Sequence, residues 1–398
     1  MRLCSLHPIL VIVLLSGPAS GMPANPTEKK KADEKENPAH IFTIESEVKR
    51  TPIKDQYWTG TCWDFSTTSF IEAELIRMGR GEFDLSEMFT VRHTYQLKSM
   101  NYIRRHGAAT FGEGGQAHDV LHLMRTYGAV PESAYTGQNI DEPRHNHGEM
   151  VAVIQGMLDG VLKKEGKRLT PRWPDAIEAV LDVYLGKPPA SFEYQGKTYT
   201  PLAFMNDVLQ IPFDDYIEMT SYTHHPFFQK FCLEVPDNWA DAGDYYNVPI
   251  DDFETIIDNA LKHGYSVVWD GDVSEKEYSS RETGYGVVPA KEWEDKTKAE
   301  QEAKATEPEI EKEVTQEMRQ RAFDNFTTTD DHLMHIVGLA HDQKGTKFYL
   351  TKNSGGTLDR KFDGYVYLSR SYVRLKTIAI MINKKSLTPE MARKLGIE

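Results

Sequence analysis

The chain has 398 residues, of which 39% are hydrophobic and 27% charged, and its formal net charge is −14. This is the composition of a globular protein with enough apolar side chains for a full core, in one unit with insertions or in two domains. The acidic balance argues against nucleic acid as a partner, because binding to phosphates requires a surplus of lysine and arginine.

The first residues have the pattern of an export signal. Residues 1–21 combine a basic start at Arg2, the apolar run Ile9–Leu15 and small residues at 19–21. This is typical of a signal peptide and is too short to span a membrane. We therefore expect an exported protein, periplasmic or extracellular, without a membrane segment once the signal is removed.

The next residues predict a spacer. Residues 22–45 are mostly polar and are expected to be a disordered linker. Removal of the signal peptide would also remove Cys4, leaving Cys62 and Cys232. An exported protein with two cysteines has no disulfide framework, so its fold must depend on its core.

A cysteine stands where a helix is predicted to begin. Residues 51–66 read Thr-Pro-Ile-Lys-Asp-Gln-Tyr-Trp-Thr-Gly-Thr-Cys-Trp-Asp-Phe-Ser, and the stretch from Cys62 to Met78 has apolar residues at helical spacing before Gly79. A thiol at a helix N-terminus faces unpaired N–H groups and the positive end of the helix dipole. We expect these to lower its pKa below the ~8.5 of a free cysteine. Cys62 is therefore predicted to be a nucleophile.

Gln56 is predicted to complete an oxyanion hole. It precedes Cys62 on an extended run, so its side-chain amide can point to the same spot as the Cys62 backbone N–H. The pattern Gln-x-x-x-Gly-x-Cys-Trp-x-Phe-Ser resembles the papain-like cysteine peptidases. The longer chain resembles their aminopeptidase C and bleomycin hydrolase branch. Thr59 replaces a cysteine of the family signature, so the disulfide that many secreted members form there is absent.

This resemblance implies a fold, a reaction and a set of substrates. The fold would be α+β, with a helical half, an antiparallel β half, a cleft between them and helical insertions. The substrates would be peptides, and no cofactor would be needed. The related enzymes are often hexamers, so the resemblance alone implies a homo-oligomer.

A glycine cluster follows the second predicted helix, which Ser86 is expected to cap. Gly114 and Gly115 match a glycine pair that hydrogen-bonds the substrate backbone in papain-like enzymes, and an ordinary loop is the alternative. Trp63, beside the nucleophile, is a further candidate for substrate binding.

A near match to a zinc motif lies in the next helix. His118 and His122 are four residues apart with Asp119 beside the first, close to the His-Glu-x-x-His pattern. The acid is aspartate, which is one methylene too short to reach a metal-bound water well, and no third ligand follows at the required spacing. We expect no metal here and interpret the histidine pairs 145/147 and 224/225 as structural or surface residues.

The pattern of the chain divides it into segments. The helical half with the nucleophile is expected at 46–134 and an inserted subdomain at 135–215, with helices at 146–164 and 174–186 and a hairpin at Phe192–Tyr199. The β half is expected at 216–385. It contains a charged insertion at about 290–322, which we interpret as solvated helices broken near Pro308.

The general base is expected at the start of a strand. Residues 328–338 read Thr-Thr-Asp-Asp-His-Leu-Met-His-Ile-Val-Gly, with histidines at 332 and 335. Side chains alternate along a strand, so only one of the two can face Cys62, and the alternation does not say which. The His-x-Met match to the resembled branch selects His332.

An asparagine is expected to hold that histidine. Residues 352–356 read Lys-Asn-Ser-Gly-Gly, where the family has Asn-Ser-Trp-Gly, so Asn353 is implied as the third catalytic residue. Gly355 replaces the tryptophan that screens the Asn–His bond from water. The bond is expected to be looser unless Trp58 or Trp269 covers it.

The tail, residues 386–398, is the last candidate element. In the resembled branch the C-terminal segment lies in the cleft and offers its carboxylate to the substrate's ammonium group. A short helix from Pro389, a flexible Gly396 and the terminal Glu398 would suit this role, so Glu398 is a candidate substrate-binding residue.

Together these motifs predict an exported cysteine peptidase, with an aminopeptidase favoured. A cysteine endopeptidase of the same fold and a catalytically weakened binding module remain alternatives, and Gly355 is the feature that favours the second. A zinc peptidase is disfavoured.

Overall fold

The structure is a computed structural model that describes residues 39–166, 168–241, 244–302 and 305–397. The expected signal peptide and most of the expected spacer lie outside these residues. The prediction of a disordered spacer up to residue 45 is wrong for the last residues of that spacer. Residues Thr43–Glu47 form strand β1, and the rings of His40 and Phe42 pack edge-on against Phe348.

Strands dominate the second half of the chain. The remaining strands among the described residues are β2 (Phe192–Tyr194), β3 (Lys197–Tyr199), β4 (Tyr216–Thr220), β5 (Lys230–Phe231), β6 (Tyr245–Asn247), β7 (Val267–Gly271), β8 (Tyr278–Ser279), β9 (Tyr285–Gly286), β10 (His332–His341), β11 (Lys347–Lys352), β12 (Tyr365–Ser369) and β13 (Thr377–Asn383). Eleven of the strands form one sheet in the order β5-β6-β4-β13-β7-β10-β11-β12-β9-β8, with β1 added beside β10. The pairs are antiparallel except β4 with β6 and β9 with β12.

Helices dominate the first half. The helices are α1 (Cys62–Arg77), α2 (Glu87–Arg104), α3 (Ala117–Tyr127), α4 (Gly148–Leu162), α5 (Trp173–Leu185), α6 (Pro201–Ala203), α7 (Ile250–Lys262), α8 (Lys298–Glu302), α9 (Gln316–Asp324), α10 (Arg370–Lys376) and α11 (Pro389–Lys394). The predicted α+β organisation is therefore confirmed. Among the described residues no helix is both long and apolar enough to cross a membrane.

Helix α1 is buried between the sheet and the other helices. Its residues from Cys62 to Leu75 are all buried. Phe70 and Leu75 share one apolar cluster with Val268 of β7 and Leu333 of β10 on one side and with residues of α2 on the other. The nucleophile candidate therefore stands at the end of a helix that packing holds along its whole length.

Local signals predicted several elements correctly. The Ser86 hydroxyl accepts a hydrogen bond from Phe89 N at 3.1 Å, which caps α2 as expected. The β2–β3 hairpin turns through Gln195 and Gly196, both with positive φ. Two consecutive residues in this conformation form the turn whose twist matches that of paired strands.

The segment expected as an inserted subdomain has no separate core. The buried faces of α4 and α5, including Ile154, Leu158, Ile177 and Leu181, belong to the same apolar cluster as Phe70 of α1. Residues 135–215 therefore extend the helical half.

The charged segment at 290–322 differs from the prediction. Before Pro308 the described residues of this segment contain the five-residue α8 and a 3-10 turn at Trp293–Asp295, and residues 305–310 form neither helix nor strand. Helix α9 is solvated on one face only. Its Arg319 is fully buried, and its guanidinium donates to the carbonyl oxygens of Ser221 at 2.8 Å and Arg374 at 3.0 Å. The spacing of charges along a helix does not reveal that one of them, Arg319, is buried and hydrogen-bonded to the β half.

Candidate active site

Cys62 is the first residue of α1 and is 8% exposed. The backbone N–H of Leu333, the second residue of β10, donates to its sulfur. The thiol therefore lies beside the first turn of its own helix and beside the first residues of the strand that begins with His332.

The electrostatic surroundings of Cys62 contradict the expectation of a lowered pKa. Burial raises the pKa of the Cys62 thiol to about 12, the Leu333 N–H lowers it, and the carboxyl groups of Asp270, Asp237 and Asp330 raise it further. Desolvation disfavours the thiolate, and three nearby acids repel it, so together they outweigh the helix terminus. These influences favour the neutral thiol over the thiolate.

His332 and Asn353 form the expected pair. The His332 Nε2–H donates to Asn353 Oδ1 at 2.8 Å, and the same oxygen accepts the backbone N–H of Ser354 at 2.7 Å. Two donors on one atom identify it as the amide oxygen. This hydrogen bond leaves Nδ1 as the basic nitrogen. Burial lowers the pKa of His332, which keeps the ring neutral and able to accept a proton.

His335 occupies a different environment. It is fully buried, and its Nδ1 lies 2.9 Å from the Ser69 hydroxyl, which also accepts from the Lys352 ammonium at 2.7 Å. Burial and then the charge of Lys352 lower its pKa well below the usual value. His335 is therefore part of the packing between α1 and the sheet.

Gln56 is held in place by the residue after Asn353. Its backbone N–H donates to Ser354 O at 2.9 Å, and its side-chain oxygen accepts from the Ser354 hydroxyl at 2.5 Å. One of its two side-chain N–H groups donates to Thr59 O at 2.6 Å. The second N–H is available for an oxyanion, and this role of Gln56 stays a prediction.

The tryptophan missing at Gly355 is replaced by Arg360. A Cβ on Gly355 would lie 2.7 Å from Arg360 Nη2, and this guanidinium also donates to Ser280 Oγ at 2.7 Å. The expected alternatives do not cover the pair. Trp58 is 61% exposed, and Trp269 is buried with its N–H donating to Thr377 Oγ1 at 2.7 Å.

Tyr278 contacts Asn353 from another side. Its hydroxyl lies 3.5 Å from Asn353 Nδ2. Arg360 is close enough to lower the pKa of His332, although less than burial does. Arg360 and Tyr278 therefore surround the His332–Asn353 hydrogen bond in place of the tryptophan of the family pattern.

The glycine loop lies against the start of α1. The Glu113 carboxylate accepts the Gly60 N–H at 2.6 Å, and the Glu113 carbonyl accepts from the Trp63 indole at 2.9 Å. A Cβ on Gly115 would lie 3.0 Å from the Trp63 ring. Trp63 is only 1% exposed, so it supports the loop from below, and the prediction that it contacts substrate is wrong.

Gly114 is half-buried in this loop, and Gly115 is buried. A Cβ on Gly114 would lie 2.0 Å from Asp237 Oδ2, so only glycine allows this carboxylate to approach. The sequence did not single out Asp237, because it reaches the cleft from the distant loop between β5 and β6.

The zinc-like motif has other partners. Burial acts to lower the pKa of His118, but the charges of Glu218 and then Asp119 outweigh it and raise the pKa to about 9. His118 Nδ1 lies 2.8 Å from Glu218 Oε2, and Asp119 caps its own helix by accepting the Gln116 N–H at 2.9 Å. His122 is exposed.

The described part of the tail turns away from an extended path. Gly396 adopts φ +64, and the Ile397 N–H donates back to Ala392 O at 2.9 Å, which closes α11 as a helix C-cap. Leu395 and Ile397 pack against the apolar cluster that contains Phe253 of α7. Glu398 lies outside the described residues. The sequence predicts that the tail extends from Gly396 into the cleft. This expectation is wrong for the described part of the tail, which ends at Ile397.

Comparisons with known proteins agree with this geometry. The family model described as "Peptidase C1-like family" matches residues 19–398. Aminopeptidase G of Lactobacillus delbrueckii subsp. lactis is 22% identical over 88% of this chain and 85% of its own length. Aminopeptidase C of Streptococcus thermophilus is 22% identical over 88% of this chain and 84% of its own.

A solved structure shares the fold. The crystal structure of PepW from Lactobacillus rhamnosis HN001 (DR20) matches with a TM-score of 0.67 at 18% identity, over 89% of this chain and 84% of that one. The family model covers nearly the whole chain, including the four residues that the sequence motifs select. The chain therefore belongs to the Peptidase C1-like family, and it is a papain-like cysteine peptidase.

Proposed function

We propose that the protein is an aminopeptidase that removes N-terminal residues from peptides through a cysteine nucleophile. The observation that carries the catalytic part is the pairing of His332 with Asn353 at 2.8 Å beside a thiol that faces Leu333 N–H. The relatives named aminopeptidase G and aminopeptidase C support the aminopeptidase part.

The reaction begins with proton transfer within the site. As Cys62 Sγ attacks the scissile carbonyl carbon, its proton moves to His332 Nδ1, because Nε2 already carries the hydrogen bonded to Asn353. The carbonyl oxygen becomes an oxyanion. It accepts hydrogen bonds from the Cys62 backbone N–H and the second side-chain N–H of Gln56.

The second half of the reaction uses the same groups. His332 Nδ1 gives its proton to the leaving amine, and the C–N bond breaks. The shortened peptide leaves, and the N-terminal residue stays bound to the Cys62 sulfur as a thioester. A water molecule then loses a proton to Nδ1 and attacks the thioester carbonyl, which frees the carboxylic acid and returns the proton to the thiol. Asn353 holds the ring in one orientation throughout.

The test is hydrolysis of fluorogenic aminoacyl amides by the purified protein. We expect activity that iodoacetamide abolishes and that a chelator leaves unchanged, and we expect Cys62→Ala to lose it while keeping the fold. Cys232→Ala is the matched control, since Cys232 is exposed. Retained hydrolysis by Cys62→Ala would refute the cysteine mechanism. An inactive wild type with a native circular dichroism spectrum would favour the binding module.

We also propose that the protein is exported and that residues 1–21 are removed. The basic start and the apolar run Ile9–Leu15 support this proposal. N-terminal sequencing of the protein from the producing cells should begin near Met22, and Leu14→Arg should block processing. A mature chain that starts at Met1 would contradict export by this route.

A homo-oligomer is proposed on the resemblance alone. Light scattering of the purified protein at several concentrations measures its mass directly. A mass near the 45.4 kDa of one chain at all concentrations would contradict the proposal.

A further inference from the structure

A carboxylate lies against the glycine loop. Asp237 lies in the loop after β5, and its Oδ2 would be 2.0 Å from a Cβ on Gly114. The loop is anchored directly beyond it. Trp239 donates to Asp119 Oδ2 at 2.9 Å, and its carbonyl accepts from Asn101 Nδ2 at 2.7 Å. A peptide that follows the glycine loop from Cys62 therefore meets this carboxylate.

Two more carboxyl groups lie behind Asp237. The Asp237 backbone N–H donates to the Asp330 carboxyl, and Gln116 Nε2 donates to Asp330 Oδ2 at 2.9 Å. Asp270 is 2% exposed, and burial raises the pKa of its carboxyl well above the usual value, although the Gln116 side chain beside it acts to lower the pKa. Its neighbour is the Asp330 carboxyl, so the two can bond only by sharing a proton.

The lysine that most offsets the charge of Asp237 is bonded to backbone carbonyls. Lys98 is the cation that most affects Asp237, but its ammonium is buried beneath the glycine loop and donates to Gly112 O at 2.9 Å and to Gly114 O. For the Asp237 carboxylate itself, no hydrogen bond or ion pair joins it to another residue in the described part of the chain. The Asp237 side chain is half-buried, and a carboxylate that has lost part of its hydration gains from an added cation.

We propose that Asp237, with the Asp270–Asp330 pair behind it, binds the α-ammonium group of the substrate and ends the cleft on the N-terminal side of the scissile bond. This inference rests on the proposed aminopeptidase function. A peptide carries a positive charge at its N-terminus and a negative charge at its C-terminus, so carboxylates at one end of a cleft attract the first and repel the second. Charge alone thus gives the direction in which the substrate lies.

The geometry explains why the chain tail is not needed for this purpose. Through Ile397 the tail packs on the cluster around α7, whereas Asp237 reaches the face of Gly114 directly. The anchor for the amine is therefore a side chain from an internal loop. A competing use for the same acids is to bind a lysine or arginine side chain of a blocked peptide.

The experiment compares three substrates with the same leaving group: leucyl amide, N-acetyl-leucyl amide and N-acetyl-arginyl amide. The wild type should prefer the free amine by about 100-fold or more in kcat/KM. Asp237→Asn should lower kcat/KM for leucyl amide by about 10- to 1,000-fold, mainly through KM, because the loss of one partner of a desolvated charge pair has an effect of this size. The rate on N-acetyl-leucyl amide should be unchanged or higher, since this substrate has no ammonium group.

Asp241→Asn is the matched control. It makes the same change in the same loop, but the Asp241 side chain is 65% exposed and pairs with Arg105 at 2.7 Å. It should behave as wild type. If Asp237→Asn has the wild-type ratio of activity on leucyl amide to activity on N-acetyl-leucyl amide, the inference is wrong. The assignment as a cysteine peptidase would be unaffected. Selective hydrolysis of N-acetyl-arginyl amide by the wild type would show instead that the acids bind a basic side chain.

A binding measurement covers the case in which Asp237→Asn is less stable. Leucinamide should protect Cys62 of the wild type from iodoacetamide, and N-acetyl-leucinamide should not. Asp237→Glu should retain part of this protection, since it keeps the charge. Equal protection by the two compounds would contradict an ammonium site, and a wild type without aminopeptidase activity would refute the proposed function itself.

Discussion

The guanidinium of Arg360 lies directly over Gly355, where a Cβ would come within 2.7 Å of Nη2. The space that a tryptophan side chain would take is therefore already filled. Arg360 also brings a positive charge near His332, which helps burial to keep the imidazole neutral. The hydrogen bond between His332 and Asn353 is covered by a different kind of residue from the one that the family pattern suggests.

Arg360→Ala should lower kcat by about 3- to 10-fold. Water would reach the His332–Asn353 bond, and a higher local dielectric weakens it. The same change removes a charge that lowers the His332 pKa, so the acidic limb of the pH–kcat profile should move to higher pH. Lys361→Ala, which changes an exposed neighbour, is the control. An unaltered profile would show that Arg360 does not act on the pair.

Gly355→Trp should reduce activity in the wild-type background, because the new ring and Arg360 compete for one space. In the double variant Gly355→Trp/Arg360→Ala the ring has room, and activity should return towards the wild-type level. The kcat values of the four proteins form a double-mutant cycle. Equal effects of Gly355→Trp in the two backgrounds would mean that the side chains do not meet.

His332→Ala and His335→Ala should have opposite consequences. The first should lower kcat by at least about 100-fold with little change in stability, since it removes the base. The second removes a fully buried ring between α1 and the sheet and should cost about 2–4 kcal/mol of unfolding free energy. Urea unfolding together with kcat per folded molecule separates the two. The reverse result would assign the base to His335.

Ser354→Ala should act through Gln56. The hydroxyl of Ser354 holds the Gln56 side-chain oxygen at 2.5 Å, and without it the amide can turn away from the oxyanion. We expect a drop of about 10-fold in kcat, and a larger drop of about 100- to 1,000-fold for Gln56→Ala, with KM nearly constant in each. If the double variant is no slower than Gln56→Ala alone, the two residues act as one unit. Additive losses would contradict this.

The rate at which iodoacetamide modifies Cys62 should rise steeply into the alkaline range. Burial and three carboxyl groups raise the pKa of the thiol, and only the thiolate reacts. Asp237→Asn removes a carboxylate that shares no proton with another acid, so the thiol pKa should fall and the rate at pH 7 should increase several-fold. Asp241→Asn again serves as control. A wild-type midpoint below pH 8.5 would show that the helix terminus dominates after all.

Leu395→Ala should affect stability and not specificity. Leu395 is buried in the cluster around α7, and its truncation should cost about 2 kcal/mol. The ratio of activity on leucyl amide to that on N-acetyl-leucyl amide should stay at the wild-type value. A shift of this ratio towards the blocked substrate would place the tail in the cleft and would weaken the role given to Asp237.

The elements whose causes are local follow from the sequence alone. The apolar spacing that ends at Gly79 defines α1, Ser86 caps α2, and Gly196 turns the hairpin. Motifs with strict spacing also selected Gln56 and Cys62, and the structure places both as expected relative to the start of the helix.

The strand alternation separated His332 from His335 without ranking them, and the tertiary structure places them in different environments. His332 meets Asn353 because β10 and β11 are neighbours in the sheet, whereas His335 points into the packing under α1.

The electrostatics of the site depend on the tertiary structure. The reversal of the Cys62 pKa shift depends on acids at 237, 270 and 330, which are far from Cys62 in sequence. The same holds for Arg360 over Gly355 and for Asp237 against Gly114. Spacing along a chain specifies helices, strands and motif neighbours, but burial and charge at a site are sums over residues that only folding brings together.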